Sequence, residues 1–351
     1  MISHDIYMQR CLQLALLGAG NVAPNPMVGT VLVHEDVIIG EGYHKRYGEA
    51  HAEVNCINSV SEHNRTLIEK STIYVSLEPC AHFGKTPPCA DLIIANRIPE
   101  VVIGCKDNYL EVNGKGIEKL RSAGIDVISG ILEKEAVELN KRFFTFHKQG
   151  RPYIILKWAE SSDRKIAKSD FTKIAISNEF SNRIVHKWRS EEAAIMVGTN
   201  TALYDNPSLT TRLWEGNNPA RILLDKNLKV PASHHLLNGQ TATIIFNSIK
   251  NETGEKIFYN KLAEEELVIQ QILKKLHQQK IQSVIIEGGA KLLQSFIDEG
   301  YWDEARVITN EQLIIGEGIN APELKNQRLF KTENYHSDNI NYYKQVQATT
   351  N

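Results

Sequence analysis

The feature that most constrains the fold is a regular alternation of short apolar segments with amphipathic segments of helical periodicity. Ile6–Leu17 spaces its apolar residues three and four positions apart, whereas Ile73–Leu77 alternates as a half-buried strand does. Val28–Val33 and Val37–Gly40 flank three polar residues, which predicts a hairpin. Strands that alternate with helices form a largely parallel sheet covered on both faces. We therefore predict an α/β fold.

A chain of 351 residues is longer than one hydrophobic core usually organises, so two domains are expected. The pattern breaks at Gly150-Arg151-Pro152 and restarts with the strand Tyr153–Trp158. We predict domains at 1–147 and 151–351. The second contains predicted strands at Ala193–Gly198, Arg221–Leu224, Thr241–Phe246, Ser283–Glu287 and Ala305–Thr309, and predicted helices at Phe180–Trp188, Glu264–His277 and Ala290–Asp298.

The composition excludes several classes of protein. The formal net charge is −2, which argues against a nucleic-acid partner because such proteins usually show a basic excess. No stretch approaches the roughly 18 apolar residues that a membrane helix needs, and the N-terminus does not resemble an export signal. Five cysteines, an odd number, do not indicate a disulfide framework. We expect a cytoplasmic protein that acts on a small molecule.

Three potential zinc ligands occur where predicted strands end and helices begin. His51-Ala52-Glu53 opens a predicted helix, Cys80 follows a strand, and Cys89 opens the next helix. One imidazole and two thiolates leave a fourth zinc position for water, whose pKa zinc lowers from 15.7 to about 7. Glu53 lies close enough to transfer the proton without binding the metal. This arrangement is typical of zinc deaminases, so we predict His51, Cys80 and Cys89 as ligands and Glu53 as the catalytic residue.

The spacing of the two cysteines leaves alternatives open. Eight residues separate Cys80 from Cys89, whereas the nucleic-acid deaminases usually have two. A structural zinc site, which normally has four protein ligands, and unrelated buried cysteines are the competing interpretations. His82 is a conceivable fourth ligand, but its loop containing Gly and Pro favours a substrate or loop contact.

Several segments resemble one family in order along nearly the whole chain. They include Asn25-Pro26-Met27-Val28-Gly29, Gly42-Tyr43-His44 and the insert Gly84-Lys85-Thr86-Pro87-Pro88 between the two cysteines. This pattern resembles the bifunctional deaminase–reductases of riboflavin biosynthesis, the RibD (RibG) type. The resemblance implies an N-terminal cytidine-deaminase-like three-layer α/β/α domain and a C-terminal dihydrofolate-reductase-like α/β domain.

The resemblance also implies the reactions and cofactors. The first domain would deaminate 2,5-diamino-6-(5-phosphoribosylamino)pyrimidin-4-one with Zn²⁺, and the second would reduce the ribosyl group to ribityl with NADPH. A homo-oligomer is expected. Asn25 can bind the pyrimidine edge or simply form an Asn-Pro turn. Lys85 and Thr86 can bind phosphate or ribose, or be solvated loop residues.

The second domain contains a strand, the pair Gly288-Gly289, and then a helix, a sequence that can bind an anion at the helix N-terminus. Family resemblance extends this to individual positions. Two arginines suit phosphate because guanidinium groups match its oxygens. The implied substrate-binding residues are Lys157, Lys173, Arg189, Leu209, Arg212 and Glu287, and the implied cofactor-binding residues are Ala159, Ala175, Thr201, Asp205, Gly289, Ala290, Lys291, Leu292, Leu293, Gln294 and Ser295.

Two departures from the family pattern concern the reductase half. Arg164 replaces a glycine, so we expect its turn to be built differently, and Ala175 replaces an aromatic residue that contacts the cofactor. A deaminase whose C-terminal domain has no reductase activity is therefore an alternative. A nucleic-acid base deaminase and a zinc-stabilised interaction module are remoter ones. The near-neutral charge argues against the former, and the position of Glu53 argues against the latter.

Overall fold

The structure, a computed structural model, describes residues 3–83, 87–107 and 114–346. The chain divides into two compact units, residues 1–150 and 151–351. Within the described ranges, no helix is both long enough and apolar enough to cross a membrane.

The first unit contains six helices and five strands in its described part. Their bounds are α1 His4–Leu16, β1 Gly29–His34, β2 Val37–Tyr43, α2 Ala52–Ser59, β3 Thr72–Leu77, α3 Cys89–Ala95, β4 Glu100–Cys105, α4 Lys115–Ser122, β5 Asp126–Ser129, α5 Glu133–Leu139 and α6 Lys141–Gln149, with a 3-10 helix at Glu62–Lys70.

The described strands of the first unit form one sheet in the order β2-β1-β3-β4-β5. The predicted hairpin is confirmed: Glu35 and Asp36 connect β1 to β2, both with positive φ, as a two-residue turn requires. β1 is antiparallel to both neighbours, whereas β3, β4 and β5 are parallel. The sheet is therefore mixed, not largely parallel, because the hairpin inserts β1 between β2 and β3.

Helices cover both faces of this sheet. One core packs Cys56 and Ile57 of α2, Ile93 of α3 and Leu120 of α4 against the strands. On the other face α1 buries Tyr7, Met8, Cys11 and Leu14. This is the predicted three-layer arrangement.

The second unit has the bounds β6 Tyr153–Ser161, β7 Lys165–Lys168, α7 Glu179–Glu191, β8 Ala194–Gly198, α8 Thr199–Asp205, β9 Ala220–Leu224, β10 Thr243–Asn247, β11 Glu252–Thr253, β12 Ile257–Lys261, α9 Val268–Gln278, β13 Ser283–Glu287, α10 Ala290–Asp298, β14 Glu304–Asn310, β15 Gly318–Asn320, β16 Gln327–Tyr335 and β17 Asp338–Gln345. A short 3-10 helix lies at His235–Leu237.

A large sheet organises the second unit. Its ten described strands lie in the order β11-β12-β10-β9-β8-β13-β6-β14-β17-β16, and the strands from β12 to β14 in that order are parallel. β7 and β15 form a separate pair. α9 and α10 pack on one face of the large sheet, and α7 and α8 on the other. The carboxyl ends of β6, β8 and β13 consequently lie side by side at one end of the strands, which is where α/β proteins bind ligands.

We predict that Gly29→Ala destabilises the first unit. A Cβ at Gly29 would lie 2.0 Å from the Cys11 carbonyl oxygen and 2.7 Å from the Ala15 nitrogen, so α1 would have to move off β1. We expect a loss of about 2 to 3 kcal/mol, seen as a lower midpoint in calorimetric unfolding. Val37→Ala, at an exposed position of the same sheet, should change stability by less than about 0.5 kcal/mol. Equal midpoints for the two variants would show that the close approach has no cost.

Candidate active sites

The first candidate site is a cluster of three side chains from separate elements. His51 precedes α2, Cys80 follows β3, and Cys89 is the first residue of α3. Their ligand atoms all lie within 4.8 Å of one another. His51 Nδ1 is 3.7 Å from Cys80 Sγ and 3.3 Å from Cys89 Sγ. The Ala90 N–H donates to the Cys80 carbonyl at 3.1 Å, which places Cys80 at the start of α3.

The chemistry of these donors fits zinc. The Cys89 thiol and the His51 ring donate toward Cys80 Sγ and lower the pKa of that thiol, which favours its thiolate form. The same contact, together with burial, raises the pKa of Cys89. Thiolate sulfur and imidazole nitrogen are the ligands that zinc prefers, and three of them leave a position open. Among the described residues His82 is not part of this cluster, and it is exposed.

Glu53 lies in the first turn of α2, two residues after His51, and is 3% exposed. Burial, together with the charge on Cys80, raises the pKa of Glu53 to about 7. A carboxyl group with a pKa near neutrality can both accept and release a proton at physiological pH. The position and the proton affinity of Glu53 therefore suit a proton carrier beside the cluster.

His44 is a neighbour that the sequence reasoning did not single out as a site residue. Its Nδ1 lies 3.0 Å from the Ala50 carbonyl, which can only accept, so Nδ1 holds the proton. Its Nε2 then accepts from the Asn25 amide at 3.1 Å, which leaves the Asn25 oxygen as an acceptor. The His44 ring also contacts the His51 ring, with centroids 5.4 Å apart. Asn25 thus lies near the cluster of His51, Cys80 and Cys89, and the orientation of its amide is defined.

Glu78, two residues before Cys80, was also missed. Its buried carboxylate accepts hydrogen bonds of 2.9 to 3.3 Å from the backbone N–H groups of Asp107, Gly114, Gly116 and Ile117. These contacts hold the start of α4 beside the end of β3, one residue after which Glu78 lies. The only signal in the sequence was a carboxylate at the end of an apolar strand, which does not reveal partners nearly 40 residues away.

The second candidate site begins with a buried ion cluster at the carboxyl edge of the large sheet. Arg189 of α7 donates to Glu287 through Nε at 2.8 Å and Nη2 at 2.6 Å. Lys157 Nζ lies 3.9 Å from the same carboxylate, and β6 and β13 pair Lys157 directly with Glu287. Desolvation opposes the ionisation of Glu287, but Arg189 and Lys157 outweigh it and lower the pKa to about 2. Burial lowers the pKa of Lys157. The structure thus brings together three predicted substrate residues.

The segment 209–212 lies against this cluster. Leu209 is buried with φ 55°, and the Thr210 carbonyl accepts from Arg189 Nη1 at 3.4 Å. Arg212 is exposed, and its Nη1 donates to Thr210 Oγ1 at 3.1 Å. Lys173 instead contacts the Asp205 carbonyl at 3.2 Å. Lys173 is thus tied to the end of α8 and not to the ion cluster.

The glycine pair lies between β13 and α10. Gly288 and Gly289 have φ of 112° and 76°, a region that favours glycine. A Cβ at Gly288 would lie 3.0 Å from Thr201 Cγ2, so α8 approaches the turn closely. The Leu293 N–H donates to the Gly289 carbonyl at 3.1 Å, and the free N–H groups of α10 therefore belong to earlier positions. A glycine turn that opens a helix in this way can bind an anionic group.

The remaining predicted cofactor residues are placed as follows. Leu292 and Leu293 bury their side chains in the core, so a cofactor could reach only their backbone. Gln294 donates to Asp298 and to the Glu323 carbonyl, and Ser295 donates to the Lys291 carbonyl. Ala159 and Ala290 are half-buried, and Ala175, Lys291 and Asp205 are exposed.

Arg164 has φ 59°, the left-handed conformation that glycine adopts most easily. The turn is therefore compatible with glycine geometry even though arginine occupies it. The expectation that it is built differently from the turn of the family stays a prediction. Lys85 and Thr86, the predicted phosphate or ribose contacts, lie outside the described residues.

The fold and the donor set define a two-unit enzyme class: a zinc deaminase unit followed by an α/β unit with a nucleotide-type glycine turn. Family comparison agrees with both parts. Residues 1–105 match the cytidine and deoxycytidylate deaminase zinc-binding region, and residues 152–341 match the RibD C-terminal domain.

Whole-chain comparisons give the family. The riboflavin biosynthesis protein RibD of Aquifex aeolicus is 42% identical, over 91% of this chain and 89% of the relative. The RibD of Bacillus amyloliquefaciens is 40% identical, over 91% and 87%. A crystal structure of a Thermotoga maritima diaminohydroxyphosphoribosylaminopyrimidine deaminase/5-amino-6-(5-phosphoribosylamino)uracil reductase superposes with a TM-score of 0.90 at 34% identity, over 97% of this chain and 98% of that one. The chain belongs to the RibD family of riboflavin biosynthesis proteins.

We predict that Cys89→Ser removes the metal site. The purified wild type should contain about one zinc per chain, and the variant close to none, as measured by mass spectrometry of metals. Cys11→Ser is the control, because Cys11 is a core thiol whose Sγ contacts the Tyr74 carbonyl at 3.4 Å, a partner that a hydroxyl can keep. Full zinc content in Cys89→Ser would contradict this ligand set.

Proposed function

We propose that the chain is a bifunctional riboflavin-pathway enzyme. Residues 1–147 would deaminate 2,5-diamino-6-(5-phosphoribosylamino)pyrimidin-4(3H)-one, and residues 151–351 would reduce the ribosyl group of 5-amino-6-(5-phosphoribosylamino)uracil to ribityl with NADPH. The observation that best supports the first activity is the cluster of His51, Cys80 and Cys89 beside a buried Glu53. The glycine turn next to the Lys157, Arg189 and Glu287 cluster supports the second.

In the deaminase unit His51, Cys80 and Cys89 hold zinc, which when bound lowers the pKa of a coordinated water toward 7 and provides a nucleophile. Glu53 takes a proton from the attacking water and gives it to the departing amine, so that water replaces the 2-amino group and ammonia leaves. The Asn25 amide oxygen, oriented by His44, accepts from the N–H edge of the pyrimidine. Burial raises the pKa of Glu53 to about 7, so this carboxyl group can both take up and release a proton near neutral pH.

In the reductase unit NADPH, when bound, would supply the hydride that reduces the ribosyl group to ribityl. The N–H groups at the start of α10, with Gly289 and Thr201, would hold the phosphates of this cofactor. Arg189 and Arg212 bind the substrate phosphate, and Lys157 binds the opened sugar. Glu287 holds Lys157 and Arg189 in place, because its carboxylate contacts both.

A small phosphorylated substrate, with no nucleic acid and no membrane, agrees with the net charge of −2. We place the protein in the cytoplasm, in keeping with five cysteines that are all free thiols among the described residues. The family resemblance favours a homo-oligomer, which light scattering of the purified protein would test.

Glu53→Gln should strongly slow ammonia release while zinc remains bound. Removal of the proton carrier should slow deamination roughly 10² to 10⁴-fold, because the amide has a similar shape but cannot take the proton. The test measures ammonia and zinc content of the same preparation. Glu49→Gln, an exposed carboxylate two residues before His51, is the matched control. Unchanged ammonia release in Glu53→Gln would contradict the role of Glu53 as the proton carrier.

NADPH oxidation should begin only after deamination has supplied its product. With the diaminopyrimidine phosphate as the only substrate, we expect Glu53→Gln to stop NADPH oxidation as well, and supplied deaminated product to restore it. Absorbance of NADPH and ammonia are followed in one reaction. Deamination without any NADPH oxidation, even with supplied product, would favour the reading in which the second domain has no reductase activity.

Arg212→Ala should raise the KM for the phosphorylated uracil roughly 10- to 100-fold, because one charge-assisted contact to phosphate is lost. The KM for NADPH should stay unchanged. Lys187→Ala, a surface position of α7 whose side chain pairs with Glu191, is the control. A KM that does not change in Arg212→Ala would remove this arginine from the substrate site.

A further inference from the structure

The side chain of His186 is a buried polar group beside the reductase site that the mechanism above does not use. It lies on α7, three residues before Arg189, so the two side chains share one face of the helix. Only 5% of His186 is exposed. A buried imidazole needs a hydrogen-bond partner, and the identity of that partner indicates its role.

That partner is the backbone of a predicted substrate residue. The Arg212 N–H donates to His186 Nδ1 at 2.9 Å. Nδ1 must therefore be unprotonated, and the neutral ring holds its proton on Nε2. Burial and the nearby cations Arg189 and Arg212 lower the pKa of His186 to about 4, which agrees with a neutral ring. The geometry alone already requires this tautomer.

The hydrogen bond acts on a segment that has few regular contacts of its own. Residues 209–212 belong to no helix or strand, and Leu209 has a left-handed backbone at φ 55°. Arg189 holds the Thr210 carbonyl, while Asn218 Oδ1 accepts the Thr211 N–H at 2.8 Å. His186 accepts the N–H of Arg212 itself, the residue whose exposed side chain extends from this segment. Loss of this contact would leave the guanidinium group attached to a less ordered backbone.

We propose that His186 is a positioning residue of the reductase site, which fixes the backbone of Arg212 through its Nδ1 so that the guanidinium group meets the substrate phosphate. This inference rests on the proposed reductase function. His186 does not touch substrate in this arrangement, and its effect passes through Arg212.

The two polar isosteres of histidine separate this role from simple packing. Asparagine places its side-chain oxygen near the position of Nδ1, whereas glutamine places it near Nε2. We expect His186→Gln to raise the KM for 5-amino-6-(5-phosphoribosylamino)uracil about fivefold, the usual effect of one neutral hydrogen bond, with little change in kcat or in the KM for NADPH. His186→Asn should restore most of the affinity. An unchanged kcat and an unchanged KM for NADPH control for the folding of the reductase unit in each preparation.

A double-mutant cycle tests the route through Arg212. If His186 acts through that residue, His186→Gln should add almost nothing to the KM in an Arg212→Ala background. Additive effects would overturn the proposal, as would equal KM values for His186→Gln and the wild type while Arg212→Ala shows its expected increase. Equal impairment by Gln and Asn would also overturn it. An unchanged KM in Arg212→Ala, by contrast, would contradict the proposed substrate role of Arg212 itself.

Discussion

Both sites depend on one property of parallel sheets: where a strand is followed by a helix that packs back on the sheet, the end of the strand and the start of the helix lie at the same side of the sheet. In the first unit β3 ends at Leu77 and α3 begins at Cys89, whose N–H donates to Cys80 Sγ at 3.3 Å. In the second unit β13 ends at Glu287 and α10 begins after the glycine pair. Helix N-termini present N–H groups and partial positive charge to anions, here a thiolate and, by our proposal, a phosphate.

Much of the fold followed from local pattern. The bounds of Ser283–Glu287 and Ala290–Asp298 agree with those predicted, because an uninterrupted apolar strand and a strongly amphipathic helix are separated by two glycines. Elements without such signals were missed. β11 is exposed and has no apolar alternation, and α8 is a helix of only seven residues that follows β8 directly. The mixed character of the first sheet was also missed, since the order of strands depends on tertiary pairing.

The residues of the two sites likewise include some that short sequence motifs predict and others that only the tertiary structure brings together. The zinc ligands and Glu53 could be predicted because they lie in short motifs at element boundaries. Contacts between distant residues could not: Glu287 meets Arg189 across 98 positions, and Asn25 meets His44 across 19. Family resemblance proposed several positions of α10 for the cofactor, but it could not show that Leu293 is buried or that Gln294 and Ser295 have local partners. Helical periodicity alone gives a face of α10, and the neighbouring strands determine what that face contacts.

The pairing of Lys157 with Glu287 has a consequence for how this enzyme can diverge. Side chains alternate between the two faces of a sheet, so a shift of one residue in β6 or β13 would move one member of the pair to the opposite face. Exchanges of side chains along these strands leave the alignment intact, whereas a single-residue insertion or deletion within either strand would separate the two charges. Length changes should therefore accumulate in the connections between strands, and these two strands should keep a constant length among functional descendants.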